Sequence, residues 1–256
     1  MFNLDSFNLK GKKAIVTGAG KDTGLCYGMA EALHDCGASV VVMDVTPSVY
    51  DIAEKLGGAE KGCYGVVANL TDDESRQSGF NKALELLGGR LDILLNGAGV
   101  QFRCPAKDFP EDRFKWVIDV NLTAQFLMCQ QAAAVMIPQG SGKIINMASM
   151  CSFLGSKLIP AYSASKGGIM QMTKALSNEW ASCGINVNAI APGYMETELT
   201  ADLRKMEMGK EITRKIPMGR WGKAEDLKGV VVFLASSASD YLSGAIIPVD
   251  GGFLGA

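Results

Sequence analysis

Short apolar runs, rich in β-branched residues, recur along this chain at 13–17, 39–44, 63–67, 91–95, 143–147, 185–190 and 245–249. They are continuous rather than alternating, which marks strands buried on both faces. Such strands need covering layers. The segments between them, 25–36, 73–87, 111–136, 162–182 and 224–236, carry helical spacing. Alternation of this kind builds βαβ units and a parallel sheet with helices on both faces. The expected fold is α/β, a single doubly wound parallel sheet. No low-complexity segment, internal repeat or long Pro/Gly/Ser linker interrupts the chain, so residues 1–256 read as one domain.

Composition narrows what that sheet can do. Lys and Arg number 25 against 27 Asp and Glu, a formal charge of −2, which argues against a nucleic-acid partner. There is one histidine, His34. A histidine triad, a histidine-rich metal site and a histidine general base are therefore not expected, and no metal is assigned. The cysteines, 26, 36, 63, 104, 129, 151 and 183, are odd in number and form no C-x-x-C pair. They read as free thiols in a reducing cytoplasm, not as a disulfide framework or zinc ribbon. Residues 1–10 lack the basic and apolar regions of a signal peptide. No apolar stretch approaches the roughly 18 residues of a membrane helix. The expectation is a cytoplasmic protein with no membrane partner.

The first strand runs into Gly18-Ala19-Gly20-Lys21-Asp22-Thr23-Gly24-Leu25. Glycines at a strand-to-helix turn let the backbone approach a pyrophosphate, and the helix N-terminus offers free N–H groups and a positive dipole. A triphosphate P-loop is excluded, because Asp22 follows Lys21 and Ile144 follows Lys143 where Ser or Thr is required. The second strand ends at Asp44, placed to accept hydrogen bonds from an adenosine ribose and to repel a 2′-phosphate. Residues 194–215 are polar and rich in both charges. They follow the turn Ala191-Pro192-Gly193 and read as a lid over a site at the strand ends; a solvated helix pair is the alternative.

Tyr162 and Lys166 are four residues apart, on one face of a helix. A nearby ammonium stabilises phenolate and lowers a tyrosine pKa from about 10. Tyrosine can then act as general acid or base, the role that histidine cannot fill here. Ser149 ends a strand upstream, placed to hydrogen-bond a substrate oxygen.

Together with Thr17–Gly24, Asn96-Gly97-Ala98-Gly99, Val120-Asn121 and Asn188-Ala189-Ile190-Ala191-Pro192-Gly193 followed by Thr197, these residues closely resemble the short-chain dehydrogenase/reductase family over essentially the whole chain. The resemblance implies a Rossmann-type fold and hydride transfer between a nicotinamide and an alcohol or ketone. It implies that Tyr162 exchanges the proton, that Lys166 lowers its pKa and binds the nicotinamide ribose, that Ser149 positions the substrate oxygen and that Asn121 holds a relay water. Cofactor contacts are implied for Gly18, Gly20, Gly24, Leu25, Asp44, Asn69, Leu70, Asn96, Gly97, Ala98, Pro192, Gly193, Met195 and Thr197, besides Tyr162 and Lys166. A homotetramer is implied too, with the apolar end 246–254 available for a subunit contact.

Three departures stand out. The usual turn is T-G-x-x-x-G-x-G; here two residues are inserted between Gly18 and Gly24, and Cys26 takes the place of the third glycine. Gly97 replaces an asparagine of the usual N-N-A-G. Asn69 stands where an adenine-contacting Asp is common. Lys21 is suited to the 2′-phosphate of NADP and Asp44 to NAD; NAD is expected, with NADP second. The segments 142–150, 178–181, 191–195 and 219–222 are similar to the branch of the family that acts on 2-dehydro-3-deoxy-D-gluconate or gluconate. In that reading Arg103 binds a sugar-acid carboxylate, Gln101 binds hydroxyls, and Lys157 is a second carboxylate candidate. Ketoreduction of a polyol, steroid or acyl-carrier thioester is the alternative, and a non-enzymatic nucleotide-binding protein the remotest.

Overall fold

The computed structural model describes residues 3–256, with Leu199 in its backbone alone. Seven strands form one sheet: β1 Lys13–Thr17, β2 Ser39–Asp44, β3 Cys63–Val67, β4 Ile93–Asn96, β5 Gly142–Met147, β6 Ile185–Pro192 and β7 Ile246–Val249. All pair in parallel, in the order β3-β2-β1-β4-β5-β6-β7. The covering helices are α1 Leu25–Asp35, α2 Val49–Lys55, α3 Asp73–Leu86, α4 Glu111–Ile118, α5 Ala124–Gln139, α6 Pro160–Trp180, α7 Ala201–Lys205, α8 Glu207–Lys215 and α9 Glu225–Ala235.

The continuous apolar strands are explained by two cores, one on each face of the sheet. Ala14 and Val16 of β1 point to one core with Val40 and Val42 of β2, Met29 of α1 and Leu227 and Val231 of α9. Ile15, Val41 and Met43 point to the other, with Phe80 of α3, Met128 of α5 and Leu176 of α6. Each fully buried side chain of this kind contributes about 1.5–3 kcal/mol. Both faces are covered by apolar side chains, which is why no alternation shows in the sequence. Strand order reverses between β1 and β4. That switch point opens a crevice outside the carboxyl ends of the strands, where such sheets bind ligands.

The helices differ from the sequence reading in three respects. The single helix expected over 111–136 is two, α4 and α5, joined by a π-helical turn at Asp119–Thr123 that contains Asn121. Periodicity could not show this, since one extra residue in a turn leaves the apolar stripe nearly intact. The helical run Glu111–Gln139 is also long and apolar enough by composition to cross a membrane. Here α5 instead packs Met128, Cys129, Ala132, Ala133 and Met136 into a core. Finally, α2, at 7 residues too short for a periodic signal, was not expected, whereas α7 and α8, of 5 and 9 residues, form the helix pair that was the alternative reading of 194–215.

Candidate active site at the carboxyl ends of the strands

The turn after β1 needs glycine for two separate reasons. Gly18 has φ +75°, and a Cβ there would stand 2.6 Å from the Ala98 nitrogen. The turn is braced from β2, where the Asp44 Oδ2 accepts the Gly20 N–H at 3.0 Å. Asp44 Oδ1 accepts from the Thr46 N–H and hydroxyl, each at 3.3 Å. A carboxylate has about four lone-pair sites, so these bonds leave capacity for a ribose hydroxyl. Ser48 donates to the Gly20 carbonyl at 2.7 Å. Gly24 caps α1 with no side-chain hydrogen bond, so no side chain covers the first N–H groups from Leu25 onward.

Two of the three departures from the family pattern are a single packing event. Cys26, 6% exposed, lies under the turn, and a Cβ on Gly97 would fall inside its sulfur. The thiol occupies the volume that a side chain at 97 would need. Burial pushes this thiol up to about 12, so it is a neutral filler. Thr17, at the end of β1, accepts the N–H groups of Gly97 and Ala98 at 3.0 and 3.2 Å. Gln125 donates to the Ala98 carbonyl at 2.9 Å. Sequence reasoning missed Thr17 and Gln125 as positioning residues; their only signal is a polar side chain in an apolar run.

Asn96 needs correction as a cofactor contact. It is 0% exposed, and its amide donates to Asn146 Oδ1 at 3.0 Å and Cys129 Sγ at 3.1 Å. Asn146 in turn donates to Thr173 at 3.0 Å. This polar chain ties β4 to β5, α5 and α6 inside the core. The Leu70 and Met195 side chains are likewise buried among apolar neighbours, leaving only their backbones to a ligand. Asn69 turns its Oδ1 to the Thr71 hydroxyl at 2.8 Å. Pro192 ends β6 and Gly193 follows it, with the Gly193 N–H bonded to the Val249 carbonyl at 3.0 Å. Thr197 is held by Thr200 in a capping box.

The structure brings Ser149, Tyr162, Lys166 and Asn121 together. Ser149 follows β5 and accepts the Cys151 N–H at 3.1 Å. Ser152 completes that turn and donates to the Lys166 carbonyl at 2.6 Å, fixing α6 against it. Tyr162 and Lys166 lie one turn apart, with the Lys166 ammonium 5.7 Å from the tyrosine ring centroid. Asn121, fully buried, accepts the Val100 N–H at 2.7 Å and donates to the Val100 carbonyl at 2.9 Å and Ser165 at 3.2 Å. Its amide is thus committed to the loop after β4. A Cβ on Gly99 would lie 3.4 Å from Asn121 Oδ1 and 3.9 Å from Lys166 Nζ, in ordinary contact with both, which places Gly99 beside these two groups.

The electrostatics differ from the simple expectation. Burial pushes the Tyr162 phenol up to about 12, while a hydrogen bond with Ser149 pulls it down. Burial also brings Lys166 down to about 8. Lys166 donates to the Met147 carbonyl at 2.5 Å and lies over the ring; it does not bond the phenolic oxygen, so desolvation dominates. Tyr162 is poised as a proton donor.

Around this centre, Gln101 and Arg103 lie on the loop after β4 and Lys157 on the loop before α6. Arg103 and Lys157 are exposed, and among the described residues neither has a carboxylate partner. Arg103 acts electrostatically on Cys151 and Tyr194, which places its charge on the Ser149 side of the crevice. Leu158, at φ 68°, gives its carbonyl to the Cys104 N–H at 2.9 Å, joining the two loops. Tyr194 opens the 194–215 segment and packs on Trp221 and Phe253, centroids 5.2 and 5.3 Å away.

The family profile described as enoyl-(acyl carrier protein) reductase matches residues 18–254. The 2-dehydro-3-deoxy-D-gluconate 5-dehydrogenase of Bacillus subtilis (strain 168) is 45% identical over 253 residues, 98% of this chain and 97% of its own. The gluconate 5-dehydrogenase of Gluconobacter oxydans (strain 621H) is 36% identical, with 98% of each chain covered. A solved gluconate 5-dehydrogenase from Burkholderia cenocepacia J2315, in complex with NADP and tartrate, superposes with a TM-score of 0.92 at 35% identity, covering 99% of each chain. With the Rossmann-type sheet, the glycine turn and the Ser149, Tyr162 and Lys166 grouping, these likenesses show that the chain belongs to the short-chain dehydrogenase/reductase family, as an NAD(P)-dependent dehydrogenase acting on a CH–OH group.

Proposed function

We propose that this protein interconverts a secondary alcohol and ketone of a sugar acid, most specifically 2-dehydro-3-deoxy-D-gluconate at C5, with gluconate as the second substrate class. The observation that carries it is the meeting of Ser149, Tyr162 and Lys166 beside the Gly18–Leu25 turn, at one end of the sheet. Gly18, Gly20, Gly24 and Gly97 leave backbone alone where a pyrophosphate must approach, which fits a dinucleotide. The nicotinamide, when bound, supplies or accepts the hydride. Tyr162 gives its proton to the carbonyl oxygen on reduction and recovers it from the hydroxyl on oxidation. Ser149 holds that oxygen, Lys166 carries positive charge beneath the ring, and Asn121 fixes the Val100 loop. Arg103 is the carboxylate ligand, supported by its unpartnered guanidinium and by the 45% identical relative that acts on a sugar acid. Gln101 and Lys157 are further contacts at the same mouth.

NAD is the favoured cofactor. Asp44 remains able to accept a ribose hydroxyl, and Lys21, the basic candidate for a 2′-phosphate, is engaged by Glu198 at 2.5 Å. Large side chains on the outer faces of α4 and α5, Phe114, Trp116 and Phe126, are more than a third exposed, as suits the assembly of a homotetramer. The free cysteines suit the cytoplasm. The test is an absorbance assay of nicotinamide oxidation state, with NAD and NADP against keto sugar acids, gluconate, neutral polyols and hydroxysteroids. Turnover of sugar acids with preference for NAD is expected. Activity confined to neutral polyols or steroids would overturn the substrate reading.

A further inference from the structure

The sheet order separates the ends of β1 and β6 by two strands, β4 and β5. At about 4.8 Å per strand that is roughly 14 Å. The turn after β1 and the loop after β6 can meet only by passing over the mouth between them, where Gly97, Ala98 and Ser149 lie. They do meet. Glu198, just beyond Thr197, takes the Lys21 ammonium on Oε2 at 2.5 Å and the Thr23 hydroxyl on Oε1 at 3.1 Å. The turn is anchored on its other side as well, by the ion pair of Asp22 with Lys55 of α2. Lys21 belongs to the stretch lengthened by two residues relative to the family pattern, so the extra length reaches the β6 loop.

We propose that Glu198 is a positioning residue that latches the β6 loop onto Lys21 and Thr23 across the dinucleotide cleft, and so sets how long the cofactor stays bound. The proposal rests on the dinucleotide reading of that cleft. Both ends of the latch are exposed, so it opens readily and responds to salt. The opposing effect is repulsion between Glu198 and a bound pyrophosphate; the two hydrogen bonds to Glu198 offset it by neutralising the carboxylate locally. The Lys21 ammonium is held up and the Glu198 carboxyl down by this same contact.

The experiment is stopped-flow release of NADH and NADPH, followed by nicotinamide fluorescence, in wild type, Glu198→Gln, Lys21→Glu and the charge-exchanged pair Lys21→Glu with Glu198→Lys. Glu198→Gln is expected to release cofactor about two- to five-fold faster, the range of an exposed ion pair. Added salt should speed wild-type release toward that of Glu198→Gln and leave the variant little changed. The exchanged pair should recover slow release, which a merely structural role at either site would not produce. Release unchanged or slower in Glu198→Gln, or an exchanged pair no better than Lys21→Glu, overturns the latch while leaving the dinucleotide site standing. Failure of wild type to bind either nucleotide overturns both.

Discussion

Gly97→Ala tests the packing that underlies the cofactor turn. Its new Cβ would fall inside the Cys26 sulfur and stand 2.8 Å from the Thr17 carbonyl, against 3.4–4 Å for ordinary contact. Neither neighbour can retreat cheaply: Thr17 is backbone of β1, and Cys26 is a buried residue in the first turn of α1. Overpacking of this kind costs about 1–3 kcal/mol. At about 2–4 °C per kcal/mol for a chain of this size, Tm should fall by about 2–12 °C. Cys26→Ala removes the sulfur and leaves its Cβ 3.4 Å from the new methyl group, while the Thr17 contact persists. Alone it should cost about 1 kcal/mol of lost burial. The double variant should therefore recover part of the loss, with a favourable coupling of about 1 kcal/mol or more. Thermal unfolding of all four proteins measures this. Titration with NADH should show weaker binding in Gly97→Ala and partial recovery in the double variant, because the N–H groups of Gly97 and Ala98 are pinned to Thr17 beside the turn. Additivity within about 0.3–0.5 kcal/mol would refute the argument that the two residues share one volume.

Other expectations concern the site itself. Asp44→Ala should lower the NAD/NADP ratio of kcat/KM and also weaken both nucleotides, because it frees the Gly20 N–H; an unchanged ratio would remove Asp44 from ribose recognition. Arg103→Ala should raise KM for sugar acids strongly and for neutral polyols little; equal changes would count against carboxylate binding. In the reductive direction, kcat/KM should be flat until about pH 8 and then decline as Lys166 loses its proton, since Tyr162, up at about 12, keeps its own throughout. Oxidation needs the phenol proton removed and should accelerate with alkalinity; identical profiles in both directions would contradict these assignments.

How far the sequence led depends on the kind of signal. Strands buried on both faces announce themselves as uninterrupted apolar runs, so all seven begin and end within two residues of the expected bounds; the largest differences are β4, which starts two later at Ile93, and β6, which runs two further to Pro192. Ser149, Tyr162 and Lys166 were legible because their spacing is local. Contacts between distant segments were not. Cys26 and Gly97 each read as an oddity, and nothing in either position says that one makes room for the other. Asn96 was implied as a cofactor residue by the resemblance of the Asn96–Gly99 segment to the family, yet its side chain turns inward to Asn146. The Lys166 effect on Tyr162 was read from spacing alone, which cannot weigh burial against charge. Glu198 lay within the segment read as a lid, but nothing in its position names Lys21 and Thr23, more than 170 residues away, as its partners.

The most direct test of the account is Tyr162→Phe. Turnover of 2-dehydro-3-deoxy-D-gluconate with NAD should fall by about 10²–10⁴, the usual worth of acid–base catalysis, while NADH binding measured by fluorescence stays close to wild type. Turnover near wild type in a variant that still binds NADH would show that Tyr162 does not move the proton, and the mechanism proposed for this site would be wrong.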